Sequence, residues 1–85
     1  MDHVYYTPQA YDRNYHPGYS AYRQISIQEA MNVALGRVPG QVVKVELEQE
    51  NGLWVYEVDI ITLQGVRYEV IVDMNTGAIV RIELD

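Results

Sequence analysis

The chain has 85 residues, 48% of them hydrophobic and 21% charged, with a formal net charge of −6 and no cysteine. That length holds one domain, and the missing cysteine excludes disulfides, thiolate metal sites and a cysteine nucleophile. An acidic chain without a basic stripe repels phosphate, which argues against nucleic acid and anionic membrane as partners, and no apolar run approaches the ~20 residues of a membrane span.

Residues 1–24 stand apart in composition. Six of the eight tyrosines fall in the first 22 positions, among Pro8, Pro17 and Gly18, with neither helical nor alternating periodicity. Asp2 and Asp12 balance Arg13 and Arg23 there, so the whole net charge belongs to residues 25–85. We expect an extended or disordered Tyr-rich leader at 1–24, such as a linker from an export signal or anchor, and a folded domain at 25–85. The alternative is that the tyrosines pack on the domain or on a neighbouring molecule, since each carries a large ring and a polar handle. His3 and His16 have no acidic or thiolate residues clustered around them, so no metal site is expected there.

A helix begins at Ser26-Ile27-Gln28-Glu29, a capping box in which serine and glutamate satisfy each other's backbone amides. Ile27, Ala30, Met31, Ala34, Leu35 and Val38 recur at helical spacing, and Gly36, Pro39 and Gly40 end the helix between Gly36 and Val38.

Alternation then takes over. From Gln41 to Glu50, Val43, Val45 and Leu47 face one way while Lys44, Glu46 and Glu48 face the other. Asn51-Gly52 suits a two-residue type I′ hairpin, which sets Leu47 opposite Tyr56, Val45 opposite Val58, Val43 opposite Ile60 and Lys44 opposite Asp59. Leu63-Gln64-Gly65 fits a three-residue hairpin that sets Val58 opposite Val70. A last turn over Asp73 to Gly77 is expected to set Val72 opposite Ala78, Val70 opposite Val80, Glu69 opposite Arg81 and Arg67 opposite Glu83. The fold class is thus α+β: one N-terminal helix packed on a four-stranded antiparallel β-meander, preceded by an irregular Tyr-rich tail. The face away from the helix should be a solvated ladder of opposite charges.

No constellation here points to catalysis. Asp59 and Glu69 become cross-strand neighbours, which superficially suits a carboxylate pair. The row Lys44, Asp59, Glu69, Arg81, however, gives each acid a basic flank, so a charge ladder explains it better. Ser26 is a helix cap rather than a nucleophile, and no glycine-rich loop opens a helix to bind phosphate. No cofactor is expected. The binding features are Trp54 and Tyr56 near the hairpin end of the sheet, with Ile71 and Ile79 predicted to pair directly in the charged face. The two edge strands are further places for a partner strand to add.

Several stretches, in order, resemble the PepSY family. They are Ser26-Ile27-Gln28-Glu29-Ala30, Pro39-Gly40 leading into Gln41 to Leu47, Trp54-Val55-Tyr56-Glu57-Val58, and Tyr68 to Val72 followed by Asp73-Met74-Asn75-Thr76-Gly77. The resemblance covers residues 25–85. It implies a non-catalytic extracytoplasmic module of the kind found in propeptides of secreted metallopeptidases and in bacterial envelope proteins, with no catalytic residues to carry over. Its partner would be a protein, either a peptidase or an envelope protein, and its export signal would have been removed. Two functions follow. One is binding that regulates or inhibits a secreted peptidase. The other is a structural or sensory module of the cell envelope that self-associates and has no peptidase target.

Overall fold

A computed structural model describes residues 24–85; the leader at 1–23, with His3, His16 and six tyrosines, lies outside the described residues. The described chain runs α1 (Ile27–Arg37), β1 (Gln41–Glu50), β2 (Leu53–Ile61), β3 (Arg67–Asp73) and β4 (Ile79–Leu84). The strands form one antiparallel sheet in the order β1-β2-β3-β4, so β1 and β4 are its edges. This is the α+β meander expected from the alternation pattern.

The helix starts as its capping box requires. The Glu29 amide donates to Ser26 Oγ at 3.1 Å, and the Ser26 amide donates to Glu29 Oε1 at 2.8 Å. Ala30 and Ala34 are its most deeply buried residues, with Val38 buried at its C-cap. Small side chains at the contact let the helix sit close to the sheet, where Val45, Tyr56, Val58, Ile60, Val70 and Val72 complete the core. The helix N-terminus is tied to the far end of the sheet: the Ile25 amide donates to the Met74 carbonyl at 2.8 Å, and the Tyr56 hydroxyl donates to the Ile25 carbonyl at 3.3 Å.

The first hairpin matches its predicted register from Glu50 opposite Leu53 to Lys44 opposite Asp59. Asn51 and Gly52 take φ values of 49° and 83°, the positive pair that a type I′ turn demands. Below Lys44 the register shifts by one, so that Val42 and not Val43 lies opposite Ile60. Val43 is the extra residue of a bulge and turns outward, exposed, instead of joining the core. Beside this irregularity, Gly40 passes so close to β2 that a Cβ there would lie 2.4 Å from the Ile61 carbonyl oxygen.

The last hairpin departs further from expectation. Its turn closes between Asp73 and Ala78, whose carbonyl accepts from the Asp73 amide at 2.8 Å, rather than between Val72 and Ala78. Val72 therefore faces Ile79, and a register shift follows at once, leaving Ile71 opposite Arg81, Val70 opposite Ile82 and Glu69 opposite Glu83. The bulge has a physical reason. Continued unbroken, the Val72–Ile79 register would turn Arg81 into the core and Ile82 out of it, because a one-residue slip inverts every side chain. The extra residue, Val80, restores Ile82 to the helix side. Consequently Ile71 and Ile79 do not pair: they lie on opposite faces, with Ile79 packed against the core. The predicted pairs Glu69–Arg81 and Arg67–Glu83 are likewise absent from the register.

Candidate functional site

Two regions could carry binding chemistry, the open end of the first hairpin and the face of the sheet away from the helix. At the hairpin end, Trp54 sits opposite Gln49 on the helix side and is 41% exposed, while its neighbour Leu53 is exposed on the opposite face. Its backbone is fixed, since the Trp54 carbonyl accepts from the Met74 amide at 3.0 Å. A large ring held half in water by a rigid strand is the usual build of an interface anchor. Tyr56, one pleat further in, is instead a core residue, and burial, with Glu29 nearby, raises its hydroxyl pKa above the ordinary value. The depression between Pro39–Gln41 and Ile61–Gln64 offers no titratable side chain and hence no acid-base chemistry.

The far face is not the solvated ladder that the sequence suggested. Val55 and Ile71 are fully buried on it, and Asp59 is only 6% exposed. A buried carboxylate needs a partner, and Arg67 Nη2 supplies one to Asp59 at 2.8 Å while its Nε reaches Asp85 at 3.0 Å. Lys44 Nζ lies 3.4 Å from Glu46. Arg81 bonds Glu83 beside it and, through both terminal nitrogens, Glu50 at 2.9 and 2.8 Å. That last link joins the edge strand β4 to the edge strand β1 across the far face of the sheet, the face on which Val55 and Ile71 lie. Glu50 responds with a carboxyl pKa below the ordinary range, chiefly through the Arg81 hydrogen bond.

Charge on this face is unbalanced. Among the described residues it carries Glu46, Glu48 and Glu50 from β1, Glu57 and Asp59 from β2, Glu69 and Asp73 from β3, and Glu83 and Asp85 at β4, against Lys44, Arg67 and Arg81. One oxygen from each of Glu46, Glu48 and Glu57 falls within 4.8 Å of the others. The Glu57 carboxyl pKa is pushed up to about 8, first by desolvation, then by a hydrogen bond with Glu69 and the charges of Glu69, Glu48 and Glu50. Glu57 therefore holds a proton near neutral pH. Sequence reasoning missed this residue although the signal was available: placing Leu47 opposite Tyr56 also places Glu46 directly opposite Glu57. Asp59 and Glu69 are cross-strand neighbours, as expected, but the Asp59–Arg67 bond spoils them as an acid-base pair.

Residues 24–83 match the family described as peptidase propeptide and YPEB domain, PepSY. The uncharacterized protein YkoJ of Bacillus subtilis (strain 168) is 33% identical over 61 residues, covering 72% of this chain and 36% of YkoJ, so the match spans about a third of that relative's length. Among solved structures, the YpmB protein from Bacillus subtilis shares the fold with a TM-score of 0.67 at 24% identity, over 76% of this chain and 52% of that one. No helix among the described residues is long and apolar enough to cross a membrane.

Proposed function

Since the chain belongs to the PepSY family, we propose that it is a non-catalytic module that acts outside the cytoplasm by binding a secreted peptidase and restraining it. The observation that carries this reading beyond family membership is Trp54, held half-exposed at the open end of the first hairpin. Aromatic anchors of this kind dominate interface energetics, and this one is positioned before any partner arrives, so little ordering cost opposes binding. The acidic far face adds a long-range attraction for basic surfaces, which speeds encounter more than it tightens the complex.

The test is to titrate the full chain against the secreted metallopeptidases of its source organism, reading both inhibition and binding heat. We expect at least one peptidase to bind and slow, and Trp54→Ala to weaken that binding about tenfold or more while the melting temperature stays nearly unchanged. Failure to bind or inhibit any of them overturns the reading. Binding that survives Trp54→Ala removes the aromatic end as its contact.

A further inference from the structure

We infer that β4 is a self-pairing edge, through which two copies of this chain join antiparallel into one eight-stranded sheet. The inference does not rest on peptidase binding. It starts from what covers the sheet: α1 lies against β1, β2 and β3, while at the β4 edge Leu84 is 70% and Val80 44% exposed. Apolar residues so exposed along an open strand edge are a hazard unless something pairs with them.

Backbone direction sets which residues can pair. The Asp85 amide donates inward to the Arg67 carbonyl at 2.9 Å. By the alternation of an antiparallel ladder, Arg81 and Glu83 also turn their backbone groups toward β3, whereas Ile82 and Leu84 turn theirs outward. A second β4 must therefore pair through Ile82 and Leu84.

Charge then selects one register. With a two-fold axis at Ile82, Ile82 meets Ile82 of the second copy, Arg81 meets Glu83, Glu83 meets Arg81, and Leu84 is carried to the exposed Val80. Moving the axis to Arg81 would oppose two guanidinium groups, and moving it to Glu83 would oppose two carboxylates, both unfavourable as direct cross-strand neighbours. The sequence Val80-Arg81-Ile82-Glu83-Leu84 is thus self-complementary when read antiparallel. Such an interface is isologous and closes at two copies, with both helices on the same side of the joined sheet. The other edge repeats the pattern as Val43-Lys44-Val45-Glu46-Leu47, with its own bulge at Val43, but there Val45 is buried and Leu47 packs against the core, so β1 offers a second copy less exposed apolar surface than β4 with its Leu84.

Light scattering and sedimentation on the full chain, over roughly three decades of concentration, test the proposal. A reversible monomer–dimer equilibrium is expected. Leu84→Pro deletes an outward amide whose side chain is already exposed, so it should spare the β3–β4 ladder and weaken dimerisation about tenfold or more. Glu83→Arg should do the same by opposing guanidinium groups, and the exchange R81E/E83R should bring affinity back to within about threefold of the parent. Circular dichroism and melting curves on each variant confirm that the fold persists. A chain that stays monomeric throughout overturns the proposal, as does a dimer indifferent to both Leu84→Pro and Glu83→Arg. Loss on Leu84→Pro without rescue by the exchange overturns the register.

Discussion

On the helix side of the sheet the deeply buried residues are Val58, Ile60, Val70 and Val72, at alternate positions of two adjacent strands. On the other side burial falls on Val55 and Ile71 together with Glu46 and Asp59. Both faces come from the same strands, yet they are stabilised by different means. Apolar burial is non-directional, so the first face needs only aliphatic side chains at the right period. The second face must supply each enclosed carboxylate with a cation, and it shares three cations among many acids: Arg67 serves Asp59 and Asp85, and Arg81 serves Glu50 and Glu83. Negative charge remains after this sharing, and Glu57 absorbs part of it by keeping its proton. Among the described residues, this face is bound together by long charged side chains rather than by aliphatic packing, which makes it sensitive to pH.

Truncation on each face in turn tests whether the two are as different as this. Ile60→Ala removes a fully buried side chain from the main core and should cost about 4 kcal/mol, enough to lower the melting temperature of so small a domain by roughly 15 °C or more. Ile71→Ala is the sharper experiment. If the far face were a solvated ladder, the change would cost a few tenths of a kcal/mol, as surface substitutions do. The complete burial of Ile71 predicts about 2 kcal/mol instead, less than for Ile60 because Ile71 lies outside the main core cluster, among charged side chains that can close into the gap. Thermal denaturation of the two variants side by side gives both numbers, and equal costs would erase the distinction between packed and bridged faces.

The difference between the faces also explains what could be read in the sequence. The capping box, the apolar period of α1, the Asn51-Gly52 turn and the Val45–Val58–Val70 row all follow from local rules, and all are present. The bulges at Val43 and Val80 were not legible. Each is a response to long-range packing, inserted so that Val42 or Ile82 faces the core, and no nearby residue announces it. The Val80 bulge, with the one-residue shift of the turn before it, undid the predicted Glu69–Arg81 and Arg67–Glu83 pairs and the Ile71–Ile79 contact. The Arg81–Glu50 link joins residues 31 positions apart across two intervening strands, which no pairwise register rule anticipates. Trp54 was legible as a candidate because its position at the hairpin end follows from the turn alone.

The smallest expected effect, and the one specific to the far face, concerns Glu57. Its folded pKa of about 8 lies above the ordinary 4.5, so between these values the folded chain holds more proton than the unfolded chain. Stability then falls as pH rises through 4.5 to 8 and is level above that window, the reverse of the behaviour of Glu50, whose lowered pKa contributes stability present above 4.5 and lost in acid. Glu57→Gln leaves a neutral group that still donates to Glu69. It should match the parent below pH 4.5 and exceed it by about 1 kcal/mol near pH 8, well short of the full shift because solvent and salt screen a partly exposed carboxyl. Urea denaturation of both proteins at several pH values measures the gap. A difference that stays constant across the window would mean that Glu57 ionises normally, and that the surplus charge of the far face is borne by solvent rather than by a retained proton.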